Sequence, residues 1–287
     1  MRASYLRPGR ALSLPLTRSA AVALALTALL AAPALLLAQA PQAPRPPAPA
    51  PAPAPPKSTA PPEKLPSARS IIDRYVQAIG GRKAILAHTS SHATGTMSVP
   101  GSGMTGTLDI YGMKPNKSLV KITIGGIGEV MEGFDGTIGW SVSPMTGPRL
   151  TDGKELDEKM FDADFYSDLH EEGRYTSMTT VDKALFDGRQ CYKVSLVRKT
   201  GSEDFDFYDA ATGLKAGSIG TRESQMGPMN VTQVHSDYKK FGGLLVPTTM
   251  KQSAMGVQQI LTLTAIEFDS VAPSVFELPA AIKALVK

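Results

Sequence analysis

The sequence between residues 105 and 270 alternates apolar and polar residues in short runs, and this alternation constrains the fold more than any other feature. The apolar members of the clearest runs are Leu108, Ile110, Val120, Ile122, Ile124, Ile138, Trp140, Val142, Tyr192, Val194, Leu196, Phe205 and Phe207. Because successive side chains of a β-strand point to opposite faces, each run predicts a strand with one apolar face. Turn pairs such as Asp135-Gly136 and Gly242-Gly243 separate the runs. Such short turns favour antiparallel pairing, so we expect ten or eleven strands in one large meander.

Helical spacing replaces this alternation in two places. After the helix-capping residue Ser67, apolar residues recur at helical spacing from Ile71 to Ile79, and the pair Gly80-Gly81 ends the pattern. A short helical turn over residues 82–88 follows. Residues 154–169 predict a middle helix, and Asp162, Asp164 and Asp168 are expected on its solvated acidic face.

These elements together predict the fold class. A large antiparallel sheet curls, and its concave apolar face has to be covered. We therefore expect a mainly β (α+β) domain with a curved antiparallel sheet, or incomplete β-barrel, covered by the N-terminal helix and the middle helix.

The first 66 residues differ in composition from the rest. They contain 15 of the 23 prolines and seven basic residues against one acidic residue. A basic start followed by the uncharged stretch 19–40, with Ala38-Gln39-Ala40 at its end, is typical of an export signal. If the signal is not cleaved, the uncharged stretch is long enough to anchor the chain in a bilayer. Residues 41–66 form a Pro/Ala-rich linker that favours polyproline II. The predicted organisation is a signal peptide or uncleaved anchor (1–40), a disordered linker (41–66) and a folded domain (67–287).

The positive charge of the chain belongs to its N-terminal part. The formal net charge is +4, but residues 67–287 carry 23 basic and 25 acidic residues. A folded domain with a net charge of −2 offers no bulk attraction to nucleic acid, and we expect membrane contact only through residues 19–40 if they are not cleaved. The predicted location is outside the cytoplasm, in a periplasm of the Gram-negative type. The single cysteine, Cys191, excludes a disulfide within the chain and does not follow the signal, so it is no lipidation site.

Several short motifs suggest chemistry that their context does not support. Gly101, Gly103 and Gly106 match G-x-G-x-x-G, but a predicted strand follows where a nucleotide-binding helix is required. His170 and Glu171 begin a zinc-protease motif whose second histidine is missing. No catalytic serine or cysteine signature occurs either. We therefore expect a protein that is not an enzyme and has no cofactor and no metal site.

Methionine is frequent, with twelve residues in the chain. Three interpretations are open: plain core filling, an adaptable surface for an apolar ligand, or copper(I) binding through thioethers. The last would involve Met226, Met229, Met250 and Met255, although no histidine or cysteine clusters beside them.

Three segments and the predicted meander resemble the outer-membrane lipoprotein-sorting proteins of the LolA/LolB-like superfamily. The segments are 78–81 (AIGG), 237–247 (DYKKFGGLLVP) and 276–279 (FELP). The resemblance implies an incomplete, strongly curved β-barrel with helices across its open side, a cavity for acyl chains, and work in the periplasm. Without a lipidated cysteine, the chain resembles the soluble carrier and not the lipid-anchored acceptor. Carriers of this family use a buried gating arginine, for which Arg149, Arg174 and Arg222 are the candidates here.

The sequence thus predicts a periplasmic, non-enzymatic protein that binds or carries an acyl chain, a lipoprotein or another hydrophobic ligand. Envelope proteins are possible further partners. The alternative is a structural or interaction module of the cell envelope with a self-filled core and no ligand. The predicted cavity-lining residues are Leu108, Ile110, Val120, Ile122, Ile124, Trp140, Met160, Phe165, Val194, Leu196, Phe205, Phe207 and Met250. Because a shift of one residue in register moves a side chain to the other face of a strand, the assignment of each residue depends on the strand register.

Overall fold

The computed structural model describes residues 64–224 and 227–286. The predicted signal peptide and nearly all of the predicted linker lie outside the described residues. Within the described ranges, no helix is long and apolar enough to cross a membrane.

Thirteen strands of the described part of the chain form a single antiparallel sheet. They are β1 (Ser90–Val99), β2 (Met104–Met113), β3 (Lys117–Ile124), β4 (Gly128–Phe134), β5 (Gly139–Ser143), β6 (Gly147–Thr151), β7 (Tyr175–Phe186), β8 (Arg189–Arg198), β9 (Glu203–Asp209), β10 (Lys215–Arg222), β11 (Met229–Phe241), β12 (Leu244–Ala254) and β13 (Val257–Phe268). Their order is β6-β5-β4-β3-β2-β1-β13-β12-β11-β10-β9-β8-β7. Every neighbouring pair except β1 and β13 is consecutive in sequence, so the fold is two meanders joined where the first and last strands pair.

The predicted fold class is confirmed, but the expected number of ten or eleven strands is too low. In some strands the apolar/polar alternation is weak because the strand is short or rich in glycine. Examples are β6, with the sequence GPRLT, and β10, with the sequence KAGSIGTR. Their pairing partners, not their own apolar pattern, hold them in the sheet.

Within residues 64–224 and 227–286, four α-helices accompany the sheet: α1 (Ala68–Ala78), α2 (Arg82–Ala87), α3 (Gly153–Asp162) and α4 (Ala280–Lys283). Helix α1 begins as predicted, because the Ser67 hydroxyl accepts a hydrogen bond from the Ser70 amide at 3.2 Å. It ends before Gly80 and Gly81, whose φ angles of 131° and 86° do not suit a helix.

The middle helix is shorter than the predicted range 154–169. After α3, residues 163–174 form a connection with two single turns of 3-10 helix, Ser167–Leu169 and Glu172–Arg174. The chain leaves the helix because its backbone finds other partners: the Phe165 amide donates to the Pro115 carbonyl at 3.0 Å. We call residues 163–174 the cover segment, because its side chains Phe165, Tyr166 and Leu169 pack onto α1 and the sheet.

The two faces of the sheet are covered differently. On the concave face, α1 packs with the cover segment over strands β8 and β9, where Val194, Leu196 and Tyr208 are buried. On the opposite face, the C-terminal segment from Pro273 onward packs against the first meander. There Phe276 and Ile282 are buried in one cluster with Leu119 and Trp140. The concave face thus carries the elements that shape a cavity.

Candidate functional site

A cavity of about 180 Å³ lies between the concave face of the sheet, helix α1 and the cover segment. Its apolar part is lined by side chains from the end of α1, from α2 and from the last two strands. They are Ile79, Ile85, Leu244, Leu245, Val246, Met250, Leu261, Leu263 and Phe268. An engineered apolar cavity of about 150 Å³ is large enough to bind benzene, so this volume suits a small apolar group or a short stretch of acyl chain.

The other part of the cavity is charged, and its charges balance. The basic residues of the lining are Arg174, Arg198, Arg222 and Lys215, and the acidic residues are Asp162, Asp168, Asp204 and Asp206. Both sets come from α3, the cover segment and strands β8 to β10, while the apolar part comes mainly from α1, α2 and strands β12 and β13. The lining is therefore amphipathic along its length.

Asp206 is the centre of one buried polar network. Its carboxylate accepts hydrogen bonds from Tyr208 at 3.0 Å and from Lys215 at 2.8 Å, and it lies 3.1 Å from Nε2 of His170. Burial alone would raise the pKa of Asp206, but Lys215 and His170 outweigh burial and hold this pKa well below its usual range. Asp206 is therefore an anion throughout the neutral range.

Asp204 joins two arginines in a second network. Arg198 donates to Oδ2 of Asp204 through Nε at 2.9 Å and through Nη2 at 2.6 Å, and Arg222 donates to Oδ1 at 2.6 Å. The Arg198 side chain is 3% exposed, and its third nitrogen, Nη1, has no hydrogen-bond partner among the described residues. The guanidinium carbon of Arg198 lies 4.1 Å from the centre of the Phe161 ring, and the guanidinium carbon of Arg174 lies 4.0 Å from the same centre.

The cover segment is held to α1 by polar contacts. The Tyr75 hydroxyl donates to the Asp168 carboxylate at 2.6 Å, and Nη1 of Arg69 donates to the His170 carbonyl at 3.0 Å. Burial raises the pKa of Asp168, while the Tyr75 hydrogen bond lowers it by less. The expectation that Asp168 lies on a solvated helix face is therefore wrong: the helix ends at Asp162, and the cover segment turns the Asp168 carboxylate inward.

His235 faces the cavity from β11. Burial lowers the pKa of His235 to about 3, and the positive charges of Lys215 and Arg189 act in the same direction. The imidazole is neutral at physiological pH and offers one donor and one acceptor to the charged part of the cavity.

The structure brings three of the thirteen predicted lining residues to the cavity: Phe165, Leu196 and Met250. Five lie in an apolar cluster that also contains the lining residue Leu261: Leu108, Ile110, Val120, Ile122 and Ile124. Val194 is buried under α1, Trp140 is buried under the C-terminal segment, and Met160 is 47% exposed on α3. Phe205 and Phe207 belong to a cluster with Phe186 and Cys191.

The charged part of the cavity was not predicted from the sequence. On β9, Asp204 and Asp206 alternate with Phe205 and Phe207, and a strand with such a pattern normally turns its aromatic residues inward. Here Asp204 and Asp206 line the cavity, and the Phe207 ring stacks on Phe186 on the other side of the strand, with ring centres 4.1 Å apart. The sequence signal for inward-facing aspartates is the set of basic residues on the neighbouring strands, Arg198, Lys215 and Arg222.

The three arginines considered for gating have different positions. Arg174 and Arg222 line the cavity, and Arg174 also donates to the Phe161 carbonyl at 2.6 Å. Arg149 lies on β6 and pairs with Glu155 of α3. Arg198, which is not among these three candidates, is the most deeply buried arginine of the lining.

Across residues 64–224 and 227–286, no group of three or more histidine, cysteine, aspartate or glutamate side chains has a geometry that would hold a metal ion.

The fold is shared with solved structures, although two sequence comparisons gave no match. Neither a scan against protein-family models nor a search of curated protein sequences gave a match. A DUF1329 family protein from Desulfovibrio piger aligns with a TM-score of 0.53 and 16% identity, over 73% of this chain and 95% of that one. A LolA superfamily protein from Nitrosomonas europaea aligns with a TM-score of 0.50 and 13% identity, over 75% of this chain and 99% of that one. The chain therefore has a LolA-like fold, as the sequence resemblance predicted.

Proposed function

We propose that the protein is a non-enzymatic carrier that binds an amphiphile, with an acyl chain or similar apolar group in the apolar part of the cavity. The observation that carries this proposal is the amphipathic lining: apolar side chains of α1, α2, β12 and β13 face one part of the cavity, and a balanced set of charges faces the other. An amphiphile satisfies both parts, whereas neither water nor a purely apolar ligand does.

The contact residues we propose from the sequence-predicted set are Phe165, Leu196 and Met250. Each places an apolar side chain at the cavity, and they come from the cover segment, β8 and β12. Met250 is half-buried and its unbranched side chain adapts to ligands of different shape. Burial of apolar ligand surface supplies about 25 cal/mol per Å², less the cost of ordering the ligand.

The polar end of the ligand would meet the Asp204 and Asp206 networks. Because four basic and four acidic side chains line the cavity, these networks neutralise themselves and attract neither a bare anion nor a bare cation strongly. Nη1 of Arg198, which has no partner among the described residues, is a donor for an ester or amide oxygen of the ligand.

The proposed location is the periplasm. It is supported by the export signal expected in residues 1–40 and by the fold shared with a LolA superfamily protein. The linker of residues 41–66 would let the domain of residues 67–287 work at a distance from a membrane. Lipoproteins are among the ligands that the sequence resemblance implies.

A structural or interaction module with a self-filled core is the second candidate. It is favoured by the apolar cluster around Leu108, Val120 and Ile122, each at most 8% exposed, which the protein fills with its own side chains. The two functions differ in one property, since only the carrier takes up a ligand reversibly.

The test is a titration of the purified protein with a fluorescent acyl probe, together with native mass spectrometry for lipid that co-purifies. The variant Met250→Trp fills the cavity from β12 and is expected to weaken probe binding at least about tenfold, because the indole occupies the volume of the ligand. The matched control is Met160→Trp, the same substitution at a side chain that is 47% exposed on α3. Probe binding should not change in this control.

Absence of both co-purified lipid and saturable probe uptake by the unaltered protein would exclude the carrier and leave the structural module. Equal loss of binding in both tryptophan variants would instead place the probe outside the cavity.

A further inference from the structure

Four neighbouring hairpin turns at one end of the sheet contain no charged residue. They connect β5 to β6, β3 to β4, β1 to β2 and β12 to β13, and in the sheet these strand pairs follow one another directly. The turns with their flanking residues are 143–147 (SPMTG), 124–128 (IGGIG), 99–104 (VPGSGM) and 254–257 (AMGV). We call them the uncharged tips. With strands about 4.8 Å apart, they extend along the end of eight strands, or about 34 Å of sheet.

The turns at the opposite end of the sheet have a different composition. The connections after β2, β4 and β7 contain Lys114, Asp135 and Asp187, whereas the turn after β11, 242–243, is uncharged. At the same end of the sheet as the uncharged tips, the connections after β8 and β10 contain Lys199 and Glu223, so the lack of charge distinguishes the part of this end formed by β1 to β6, β12 and β13.

Large apolar side chains project into solvent from the uncharged tips. Met145 is 56% exposed, Met255 is 66% exposed and Val257 is 39% exposed. Behind them, Met104 and Ile127 pack against the buried apolar cluster of strands β1 to β3. The exposed residues thus lie on hairpins that follow one another along one end of the sheet, next to an apolar interior.

We infer that the uncharged tips dock the domain onto the surface of a neutral lipid bilayer, with Met145 and Met255 entering the interface between headgroups and acyl chains. A protein partner would require the side chains to fill a packed, desolvated pocket. Single apolar side chains on separate hairpins suit a lipid interface, which accepts each of them individually. The lack of basic residues at the tips favours neutral over anionic lipid, because anionic surfaces select lysine and arginine.

If residues 19–40 are retained, the chain before the described residues holds the domain near a bilayer. The uncharged stretch 19–40 is long enough to span a bilayer if it is retained, and residues 41–63 could reach about 70 Å as a polyproline spacer. The described chain starts beside β7, where Thr180 donates to the Pro66 carbonyl at 2.7 Å. This docking does not depend on whether the cavity binds a ligand.

Site-specific fluorescence in vesicles tests the inference on the full chain. The single native cysteine, Cys191, is fully buried, and burial raises its pKa to about 11, so a thiol-reactive dye labels an introduced cysteine selectively. The variants Met145→Cys and Met255→Cys carry the dye at the tips. The control is Leu185→Cys, a side chain that is 68% exposed next to the charged turn after β7.

In phosphatidylcholine vesicles that contain lipid with a nitroxide on the acyl chain, we expect blue-shifted, quenched emission from both tip positions and unchanged emission from position 185. Adding Met145→Ser to the labelled Met255→Cys variant should reduce the quenching, because the tips enter the bilayer together. A readout at individual positions is independent of whether residues 19–40 anchor the chain.

Each of the other results overturns the inference. Tip emission that equals the control, or quenching that Met145→Ser leaves unchanged, contradicts insertion of the tips. Quenching that needs phosphatidylglycerol and is lost in high salt indicates electrostatic docking. A blue shift without vesicles that grows with protein concentration indicates contact between two copies of the chain.

Discussion

The ammonium group of Lys215 lies 2.8 Å from the Asp206 carboxylate inside the concave face of the sheet. Both belong to strands that pair directly, β9 and β10, and the Lys215 side chain is 17% exposed while that of Asp206 is 4% exposed. A buried ion pair adds little net stability when it is intact, but removal of one partner leaves the other charge without compensation.

The substitution Asp206→Asn should therefore lower the free energy of unfolding by about 3 kcal/mol, since Lys215 loses its counterion and His170 loses an acceptor. Urea unfolding at neutral pH measures the effect. The control is Asp73→Asn, which removes a carboxylate that is 63% exposed and pairs with Arg69 at 2.8 Å. Its cost should stay within about 0.5 kcal/mol. Equal costs for the two variants would mean that the Asp206 network does not contribute to the fold.

Stability should fall in mild acid because of His235. An unfolded histidine has a pKa of about 6.5, whereas burial lowers the pKa of His235 to about 3. Between these values the unfolded chain binds more protons, so folding weakens as the pH falls, by up to about 1.4 kcal/mol per pH unit.

The variant His235→Gln removes this contribution while it keeps a polar side chain. Between pH 6.5 and 5 we expect it to lose about 1 to 2 kcal/mol less than the unaltered protein. Urea unfolding across this pH range measures the difference. Parallel stability curves for the two proteins would show that His235 accepts a proton in the folded state as easily as in the unfolded one.

The sequence predicts an element well where local signals decide its structure. Helix α1 is one case, because its cap Ser67 and its end at Gly80 are both local. The predicted middle helix extends seven residues too far, to 169 instead of Asp162. Its apolar spacing continues into the cover segment, but Phe165 and Tyr166 are used for tertiary contacts, with the Pro115 carbonyl and the His88 carbonyl.

The site could be predicted only in part, because strand register and ion pairs are not local. The alternation on β9 does not show whether its aspartates or its phenylalanines face inward. Aromatic residues usually face inward in such a strand. The neighbouring strands decide the orientation of β9, because Arg198 and Lys215 form ion pairs with its two aspartates on the concave side. A sequence reading that paired β8, β9 and β10 by charge would place Asp204 and Asp206 at the cavity.

Gly133 is expected to be sensitive to any added side chain, because it faces the indole of Trp140 across a strand pair. A Cβ atom at this position would lie 2.5 Å from the Trp140 ring. Since the tryptophan is 2% exposed and packed under the C-terminal segment, it has no room to move. Gly133→Ala should cost about 1 to 3 kcal/mol of stability. Emission of the single tryptophan, which should shift to the red, reports the disturbance directly.

Gly173→Ala is the matched control for this substitution. A Cβ at Gly173 meets no atom within 4 Å, so its stability should change by less than about 0.5 kcal/mol. An unchanged emission spectrum in Gly133→Ala would contradict the close contact between β4 and β5.

Arg69 is expected to keep the cover segment closed over the cavity. Its guanidinium donates to the His170 carbonyl at 3.0 Å and to the Leu169 carbonyl at 3.4 Å, and so joins α1 to the cover segment. Charged hydrogen bonds of this kind stabilise a contact by about 1.5 kcal/mol. In Arg69→Ala, amide hydrogen exchange in residues 163–174 should become about tenfold faster, because local opening costs less.

Arg74 supplies the control on the same helix. It also donates to two backbone carbonyls, of Ala210 and Ala211 at 2.9 and 2.6 Å, but these lie in the turn between β9 and β10. Arg74→Ala should speed exchange in that turn and leave residues 163–174 unchanged. If the cover segment controls entry to the cavity, Arg69→Ala should also speed release of a bound acyl probe, whereas Arg74→Ala should not. Faster exchange of the cover segment in both variants would instead mean that α1 loosens as a whole, and the cover would then not open independently of the helix.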